Sequence, residues 1–383
     1  MKKTRCGGAR LVVVLLGAVG TVALFSGCEE DDNGPPPDAN GYALAIGLNK
    51  VDPAHYGGWD GELSGCEPDA MDMQQIATNE GLDAERLLTA EATRDAVLKK
   101  LGDLAEKLTP GDLLVVSYSG HGGQMPDQNG DEADGRDETW CLYDGEVLDD
   151  ELYGAWMKFQ AGVRILVFSD SCHSGTVLKM IRTDWESPPA GRIRELDDRW
   201  KTLRVPAKLD RAKFLAMPEM RKAIKERAYL RDRIRSLPPS TPRPGEAATP
   251  TPPEAEAERI FVSRAMPPGI SATTYQQNKT FYDELGEAAP REDSAQVKAS
   301  VILISGCEDA QASADIGFNG LFTWMLKRVW NNGAFTGDHR KFREDIRQAV
   351  EAENSEQSPY FFEIGEDDEH REEFIQQQPY AVE

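Results

Sequence analysis

Two apolar runs, each followed by small residues and one reactive side chain, most constrain what this chain can fold into. The run at 113–116 leads to His121, and the run at 165–168 leads to Cys172. Short apolar runs rich in Val, Ile and Leu are typical of buried strands in a parallel sheet. Parallel strands end at one edge of the sheet, where open α/β sheets hold their sites. We therefore expect His121 and Cys172 to lie close together.

Further apolar runs alternate with segments of helical periodicity. Pro68 and Asp69 are typical of a first helical turn, and Thr93 is a favoured N-cap residue. A repeated strand–helix–strand order predicts an α/β fold with a mainly parallel central sheet and helices on both faces. We predict strands at 42–47, 113–118, 164–168, 300–305 and 360–364, a short strand at 140–143, and helices at 68–79, 93–108, 149–159, 321–330 and 341–353.

The N-terminus has the pattern of an export signal. A positive start precedes an apolar stretch at 11–25, which is short for a membrane span. The stretch ends in LFSGC, which resembles the bacterial lipoprotein signal, in which the cysteine, here Cys28, is acylated. We expect a membrane lipoprotein of the bacterial cell envelope, on the periplasmic or surface side. Ordinary secretion and a retained anchor are the alternatives.

The net charge of −23 argues against nucleic acid as a partner, because phosphates would be repelled. The segment 184–253 is unlike the rest, since its Lys and Arg residues outnumber its Asp and Glu residues. It is helix-prone at first and Pro-rich later, and we expect ordered structure to resume near Val297. The acidic C-terminal tail is predicted to be loose. The cysteines beyond the leader are too scattered for a zinc site.

A thiol beside an imidazole is the arrangement of a cysteine nucleophile with its acid–base partner. Gly122 and Gly123 let the backbone approach a substrate carbonyl closely. The N–H groups of Gly122 and Cys172 would then form an oxyanion hole. The pair alone does not decide the function, because buried cysteine is more often a small apolar core residue.

The neighbouring sequences narrow the choice. The segments 118–124 and 170–175 resemble the paired signatures of metacaspases, the caspase relatives of bacteria, plants, fungi and protists. The segments 63–70, 126–138, 148–151, 305–315 and 357–359 are similar to that family too. The resemblance implies a caspase-like fold with His121 as general base and acid and Cys172 as nucleophile. The implied division is a signal peptide at 1–28, a tether at 29–40, a large-subunit region at 41–183, an insertion at 184–296, a small-subunit region at 297–366 and an acidic tail at 367–383.

The resemblance also implies cleavage after Arg or Lys. The matching pocket positions are Cys66, Asp69, Ser119 and Asp170. Two carboxylates in one pocket would favour a guanidinium through charge-assisted contacts. Read separately, Asp69 is a helix-terminus carboxylate and Asp170 a turn residue. We predict a cysteine endopeptidase acting on peptides and proteins, monomeric, with no cofactor required for the chemistry.

Many metacaspases need calcium, and the resemblance places Ca²⁺ ligands at Asp137, Asp149 and Asp150. Carboxylate oxygens suit this hard cation. Lys179 stands where the family has a further acidic residue, and an ammonium there would weaken the site. Asp149 and Asp150 also have the simpler interpretation of helix N-terminal carboxylates.

The basic insertion is a natural substrate in cis for an enzyme that cleaves after Arg or Lys. We expect it to be cut during activation, or to cover the cleft until it is cut. A solvated helical insertion is the simpler interpretation. Two other functions remain open from the sequence: a non-catalytic caspase-fold envelope lipoprotein that binds peptides or calcium, and a calcium-binding surface protein.

Overall fold

The computed structural model describes residues 39–132, 135–172, 262–290, 296–308, 311–365 and 368–382. The predicted leader with Cys28, almost all of the tether, Lys179 and the insertion up to residue 261 lie outside the described residues. Among the described residues, no helix is both long enough and apolar enough to span a bilayer.

A six-stranded sheet forms the centre of the fold. Its strands are β1 (Gly41–Gly47), β2 (Asp83–Leu88), β3 (Leu113–Ser119), β7 (Arg164–Asp170), β9 (Ser300–Ser305) and β11 (Tyr360–Ile364). Their order in the sheet is β11-β9-β7-β3-β1-β2. All neighbouring pairs are parallel except β11, which runs antiparallel to β9 at one edge. The predicted mainly parallel sheet is confirmed.

Helices cover both faces because alternate residues of each central strand are buried on opposite sides. In β3, Leu113 and Val115 pack in one apolar cluster and Leu114 and Val116 in the other. The first cluster includes residues of α1 (Cys66–Asn79), α6 (Leu321–Trp330), α7 (His339–Glu353) and α8 (Asp368–Ile375). The second includes residues of α2 (Arg94–Lys107) and α3 (Asp149–Trp156).

A small antiparallel sheet follows β3 and carries part of the site. It consists of β4 (Gly122–Pro126), β5 (Arg136–Leu142) and β6 (Gly145–Leu148), in the order β4-β5-β6. The sequence indicates only a short strand near 140–143, because the Gly-rich start of β4 has little strand propensity. The edge strand β2 was not predicted either, since three of its six residues are exposed and charged.

The expectation that order resumes near Val297 was wrong, because residues 262–288 already form regular structure. The segment contains β8 (Val262–Ser263), α4 (Pro268–Gln277) and α5 (Lys279–Ala288). Buried residues hold this segment on the small sheet. One of them is Tyr282, whose hydroxyl accepts the N–H of Glu146 in β6 at 3.0 Å. The expectation of a loose tail was wrong as well, because Phe374, Ile375 and Tyr380 are buried in the first apolar cluster.

Candidate active site

His121 and Cys172, the predicted dyad, lie at the same edge of the sheet, where β3 and β7 end. The two strands are parallel neighbours whose last residues, Ser119 and Asp170, are paired in register. His121 and Cys172 follow directly, and both are buried. Between them, a Cβ on Gly122 would lie 1.8 Å from the carbonyl oxygen of Cys172, so only glycine fits there.

The imidazole of His121 is oriented by two residues that the sequence did not single out. Its Nε2 lies 2.9 Å from the carbonyl oxygen of Gly61, and its ring packs on Trp59 with a centroid distance of 4.7 Å. A carbonyl can only accept, so Nε2 carries the proton and Nδ1 keeps its lone pair. Nδ1 is buried and has no hydrogen-bond partner among the described residues.

The protonation state of His121 suits a general base. Burial lowers its pKa to about 4, although the carbonyl of Gly61 and the backbones of Arg264 and Ala265 raise it. The ring is therefore neutral at pH 7 and able to take a proton.

Cys172 lies against the backbone of Ser313. Its Sγ accepts the N–H of Ser313 at 3.1 Å. Cys66, Cys141, Cys172 and Cys307 are all free. Burial raises the pKa of the Cys66 and Cys141 thiols well above their ordinary value, so these two stay protonated and unreactive.

The predicted acidic pocket contains a guanidinium from the same chain. Arg264 is fully buried, and its Nη2 lies 2.8 Å from Asp69 Oδ2 while its Nη1 lies 3.0 Å from Asp170 Oδ2. Nη1 also donates to Ser119 Oγ at 2.9 Å. Asp315, a third carboxylate, lies 3.7 Å from Nη2. Cys66 lies in the same region, because, besides burial, the charges of Arg264 and Asp69 act on the pKa of its thiol. The structure thus brings all four predicted pocket residues together.

The charges in this pocket compensate one another. Burial opposes the charge on Arg264, but Asp170 and the other carboxylates hold its pKa well above the ordinary value. Burial raises the pKa of Asp69 to about 7, against the lowering effect of Arg264. A buried cation and its buried carboxylates thus stabilise each other only as a set.

Further donors hold the two carboxylates in place. Asp69 accepts the side-chain N–H of Asn319 at 2.7 Å and the N–H of Gly320 at 3.0 Å. Asp170 accepts the hydroxyl of Thr323 at 2.8 Å. A Cβ on Gly320 would lie 2.1 Å from Asp170 Oδ2 and 2.5 Å from Arg264 Nη1, so the pocket needs glycine there.

The chain around Arg264 passes through the cleft as an extended peptide would. β8 pairs antiparallel with β10 (Ala314–Asp315), and the N–H of Arg264 donates to the carbonyl of Ser313 at 3.0 Å. The carbonyl of Arg264 accepts the N–H of Gly122 at 2.9 Å, and the N–H of Met266 donates to the carbonyl of Gly122 at 2.8 Å. The sequence marked the basic insertion as a possible cis substrate but did not indicate which residue enters the pocket.

The predicted calcium ligands are divided between two carboxylate groups. Asp137 lies with Asp127 and Asp131, whereas Asp149 lies with Glu132 and Glu138, each group having its oxygens within 4.8 Å of one another. Asp150 is influenced by the first group: burial, then the charge of Asp131, raises its pKa to about 7. Its Oδ1 is buried and has no hydrogen-bond partner in the part of the chain that the structure describes.

An α/β sheet with a thiol and an imidazole after neighbouring parallel strands, and an acidic pocket beside them, defines the caspase class of folds. The family model described as the caspase domain matches residues 40–365, and the chain belongs to that family. The predicted caspase-like fold is therefore confirmed.

Two relatives and one solved structure specify the similarity. The chain is 39% identical over 155 residues to Metacaspase-1 of Pyricularia oryzae, covering 36% of this chain and 37% of that protein. It is 36% identical over 153 residues to Metacaspase-1 of Saccharomyces cerevisiae, covering 36% and 34%. A crystal structure of a protein from Geobacter sulfurreducens is 39% identical with a TM-score of 0.64, covering 90% of this chain and 99% of that one.

The predicted resemblance to metacaspases is confirmed at the level of the family. The chain spans about a third of the length of these curated relatives. The lipoprotein form, the calcium requirement and the residue preference stay predictions.

Proposed function

We propose that this protein is a cysteine endopeptidase that cleaves after Arg or Lys, with Cys172 as nucleophile and His121 as general base and acid. The observation that carries the proposal is Arg264. Its guanidinium lies among three carboxylates while its carbonyl oxygen accepts the N–H of Gly122 beside the dyad. Arg264 is thus held by its side chain and by its carbonyl in the way that we expect for the substrate residue that directly precedes the cut.

The pocket accounts for the residue preference. Arg offers planar donors that match carboxylates, and Lys offers a compact positive charge. An Asp side chain would face Asp69, Asp170 and Asp315, and like charges at such distances repel strongly in a buried site. Peptides with Arg or Lys before the cut should bind, and peptides with Asp there should not.

We propose the following reaction for these residues. Nδ1 of His121 takes the thiol proton of Cys172, and the thiolate attacks the carbonyl carbon of the residue before the cut. The N–H groups of Gly122 and Cys172 stabilise the oxyanion. The imidazolium gives its proton to the leaving amine, which departs and leaves a thioester. A water molecule, deprotonated by His121, then hydrolyses the thioester and restores the thiol.

Peptides that differ only in the residue before the cut test the proposal. The full chain should cleave the Arg and Lys peptides and leave the Asp peptide intact, and Cys172→Ala should cleave none. Serine in place of the exposed Thr78 of α1 is a matched control that should change nothing. Cleavage that survives in Cys172→Ala would refute the assignment. Peptide binding without cleavage would favour the alternative, a non-catalytic caspase-fold protein.

Self-processing is part of the same proposal. The Arg264–Ala265 bond is the one presented to the dyad, so the chain should divide there. Until it does, Arg264 excludes other substrates from the pocket. Intact mass after incubation should show two fragments that meet between Arg264 and Ala265, absent in Cys172→Ala. Identical fragments from both chains would point to another protease.

Calcium is proposed as an activator at the group formed by Asp127, Asp131 and Asp137, together with Asp150, whose pKa is raised by burial and by the charges of Asp131 and Asp127. The crowded carboxylates and the buried Oδ1 of Asp150 fit a hard cation with oxygen ligands. Bound calcium would neutralise these charges and fix the loop after β4, the strand that begins at Gly122. Calorimetry of Cys172→Ala with CaCl₂ should show binding that Asp137→Asn weakens. No heat of binding would leave Asp149 and Asp150 as N-terminal carboxylates of α3.

We propose that the protein acts as a monomer anchored to a bacterial membrane through Cys28. The support is the sequence around Cys28, which follows an apolar stretch of signal-peptide length. Cells expressing the wild type should hold the protein in the membrane fraction, and Cys28→Ala should release it or leave its leader attached. Equal fractionation with a processed leader would indicate ordinary secretion.

A further inference from the structure

The residues that follow Arg264 remain in the cleft, and the second of them is buried. Met266 is 3% exposed and packs in one apolar cluster with Val51, Tyr56 and Cys141. The partly buried Trp59 packs against the same cluster and also contacts the ring of His121. An apolar pocket therefore lies next to the dyad, on the side that the leaving half of a substrate would occupy.

Met266 is the second residue after the Arg264–Ala265 bond, so its position in the cleft depends on how that bond is held. The N–H of Gly122 binds the carbonyl of Arg264, and the carbonyl of Gly122 binds the N–H of Met266. Gly122 and Ala265 form a parallel bridge between these two bonds. A peptide that forms both of these bonds with Gly122 would direct the second residue after the cut into the same pocket.

The pocket has room for a long side chain because its wall contains Gly123. A Cβ on Gly123 would lie 2.5 Å from the terminal methyl of Met266, 2.6 Å from Glu146 Oε2 and 2.8 Å from Thr139 Oγ1. Thr139 donates to Glu146, and burial raises the pKa of Glu146 to about 8. At neutral pH the end of the pocket is thus an uncharged carboxyl group beside a hydroxyl, next to the methyl of Met266.

We propose that this Met266 pocket, lined by Val51, Tyr56, Gly123 and Cys141, is a specificity site that selects a long apolar side chain at the second position after the cut. The inference rests on the proposed cleavage after Arg264. The preferred substrates are then peptides with Arg or Lys, one small residue, and Met or a similar apolar residue. One missing or mismatched apolar group in such a pocket changes the specificity constant by about 10- to 200-fold.

The first experiment measures cleavage in cis. The fraction of chain divided at Arg264–Ala265 is followed by intact mass in wild type, Met266→Leu and Met266→Ser. We expect Met266→Leu to react at nearly the wild-type rate and Met266→Ser to react about tenfold more slowly. Met71→Ser changes an exposed methionine of α1 and is the matched control. An unchanged rate in Met266→Ser would overturn the proposal.

The second experiment measures cleavage in trans by the self-processed chain. The peptides share Arg before the cut and Ala after it, and the next residue is Met, Leu, Ser, Asp or Lys. We expect kcat/KM for Met and Leu to exceed that for Ser by about 10- to 100-fold. Equal values would overturn the pocket proposal and leave the proposed function intact. A preference for Lys would overturn it too, since Glu146 would then be binding a cation.

A filled pocket supplies a test that does not depend on overall stability. Val51→Phe should bring the Met-to-Ser ratio of kcat/KM towards one, because the added ring occupies the space of the substrate side chain. The ratio is measured within one protein, so loss of folded enzyme cancels. A ratio that stays at the wild-type value would overturn the proposal. No cleavage after Arg in any peptide would refute the proposed function, and this inference with it.

Discussion

Replacing Arg264 tests whether the charged pocket holds the whole segment 262–290 on the enzyme. Arg264→Gln in a Cys172→Ala chain removes the guanidinium while the bond stays uncut. Asp69, Asp170 and Asp315 are then left facing one another, each at most 2% exposed. Removing one partner of a buried ion pair costs about 3–5 kcal/mol.

The chain can avoid part of this cost by releasing the segment and letting water into the pocket. The loss should therefore appear as local opening of β8, α4 and α5 rather than as global unfolding. Taking about 3 kcal/mol as the lower figure, hydrogen-exchange protection of α4 and α5 should fall by roughly 100-fold. Arg264→Lys keeps the charge but loses the planar donors. Hydrogen-exchange protection in this variant should therefore lie between that of the parent chain and that of Arg264→Gln.

Amide hydrogen exchange followed by mass spectrometry resolves these helices from the rest of the chain. Lys279→Gln is the control, because Lys279 forms an exposed pair with Asp283 on α5 and such pairs contribute little. Amides of α4 and α5 that exchange as slowly in Arg264→Gln as in its parent would refute the reasoning. The segment would then be held by its apolar contacts alone.

Three further predictions concern single ionisable groups. Burial raises the pKa of Glu146 to about 8, so the free energy of unfolding should fall as pH rises from about 4.5 to 8, and Glu146→Gln should flatten this slope in denaturant titrations. Burial lowers the pKa of His121 to about 4, so self-cleavage followed by intact mass should lose rate only as pH falls towards 4; a midpoint near 6.5 would contradict this. Asp315→Asn should raise KM for Arg peptides by about tenfold with a smaller effect on kcat, because Asp315 contacts the guanidinium and not the reacting atoms; an equal effect of Asp283→Asn would show that net charge alone is responsible.

Much of the central fold could be predicted because its signals are local. β3 and β7 are short apolar runs, and α7 repeats Phe342, Ile346 and Val350 on one buried face. Such patterns depend on neighbours within a few residues, which the sequence displays directly. The edge strand β2 and the glycine-rich β4 lack these patterns, and their pairing depends on strands elsewhere in the chain.

The segment 262–290 shows the opposite situation. The sequence of α4 has few apolar residues, and nothing local indicates that Tyr275 and Tyr282 are buried. They are buried because the segment packs against the small sheet, where Tyr282 meets Glu146 across more than a hundred residues. A prediction from propensity alone leaves such a segment as part of the insertion.

The sequence by itself indicated five of the six central strands, the two candidate reactive residues and their shared edge, since parallel strands end at one edge of a sheet. It also indicated Asp69 and Asp170 through the metacaspase resemblance. Only the tertiary structure decided that Asp315 completes the pocket, that Gly61 orients His121, and that Arg264 and Met266 lie in the cleft. These contacts join residues far apart in the chain, and their energies depend on burial and distance, which no local pattern records.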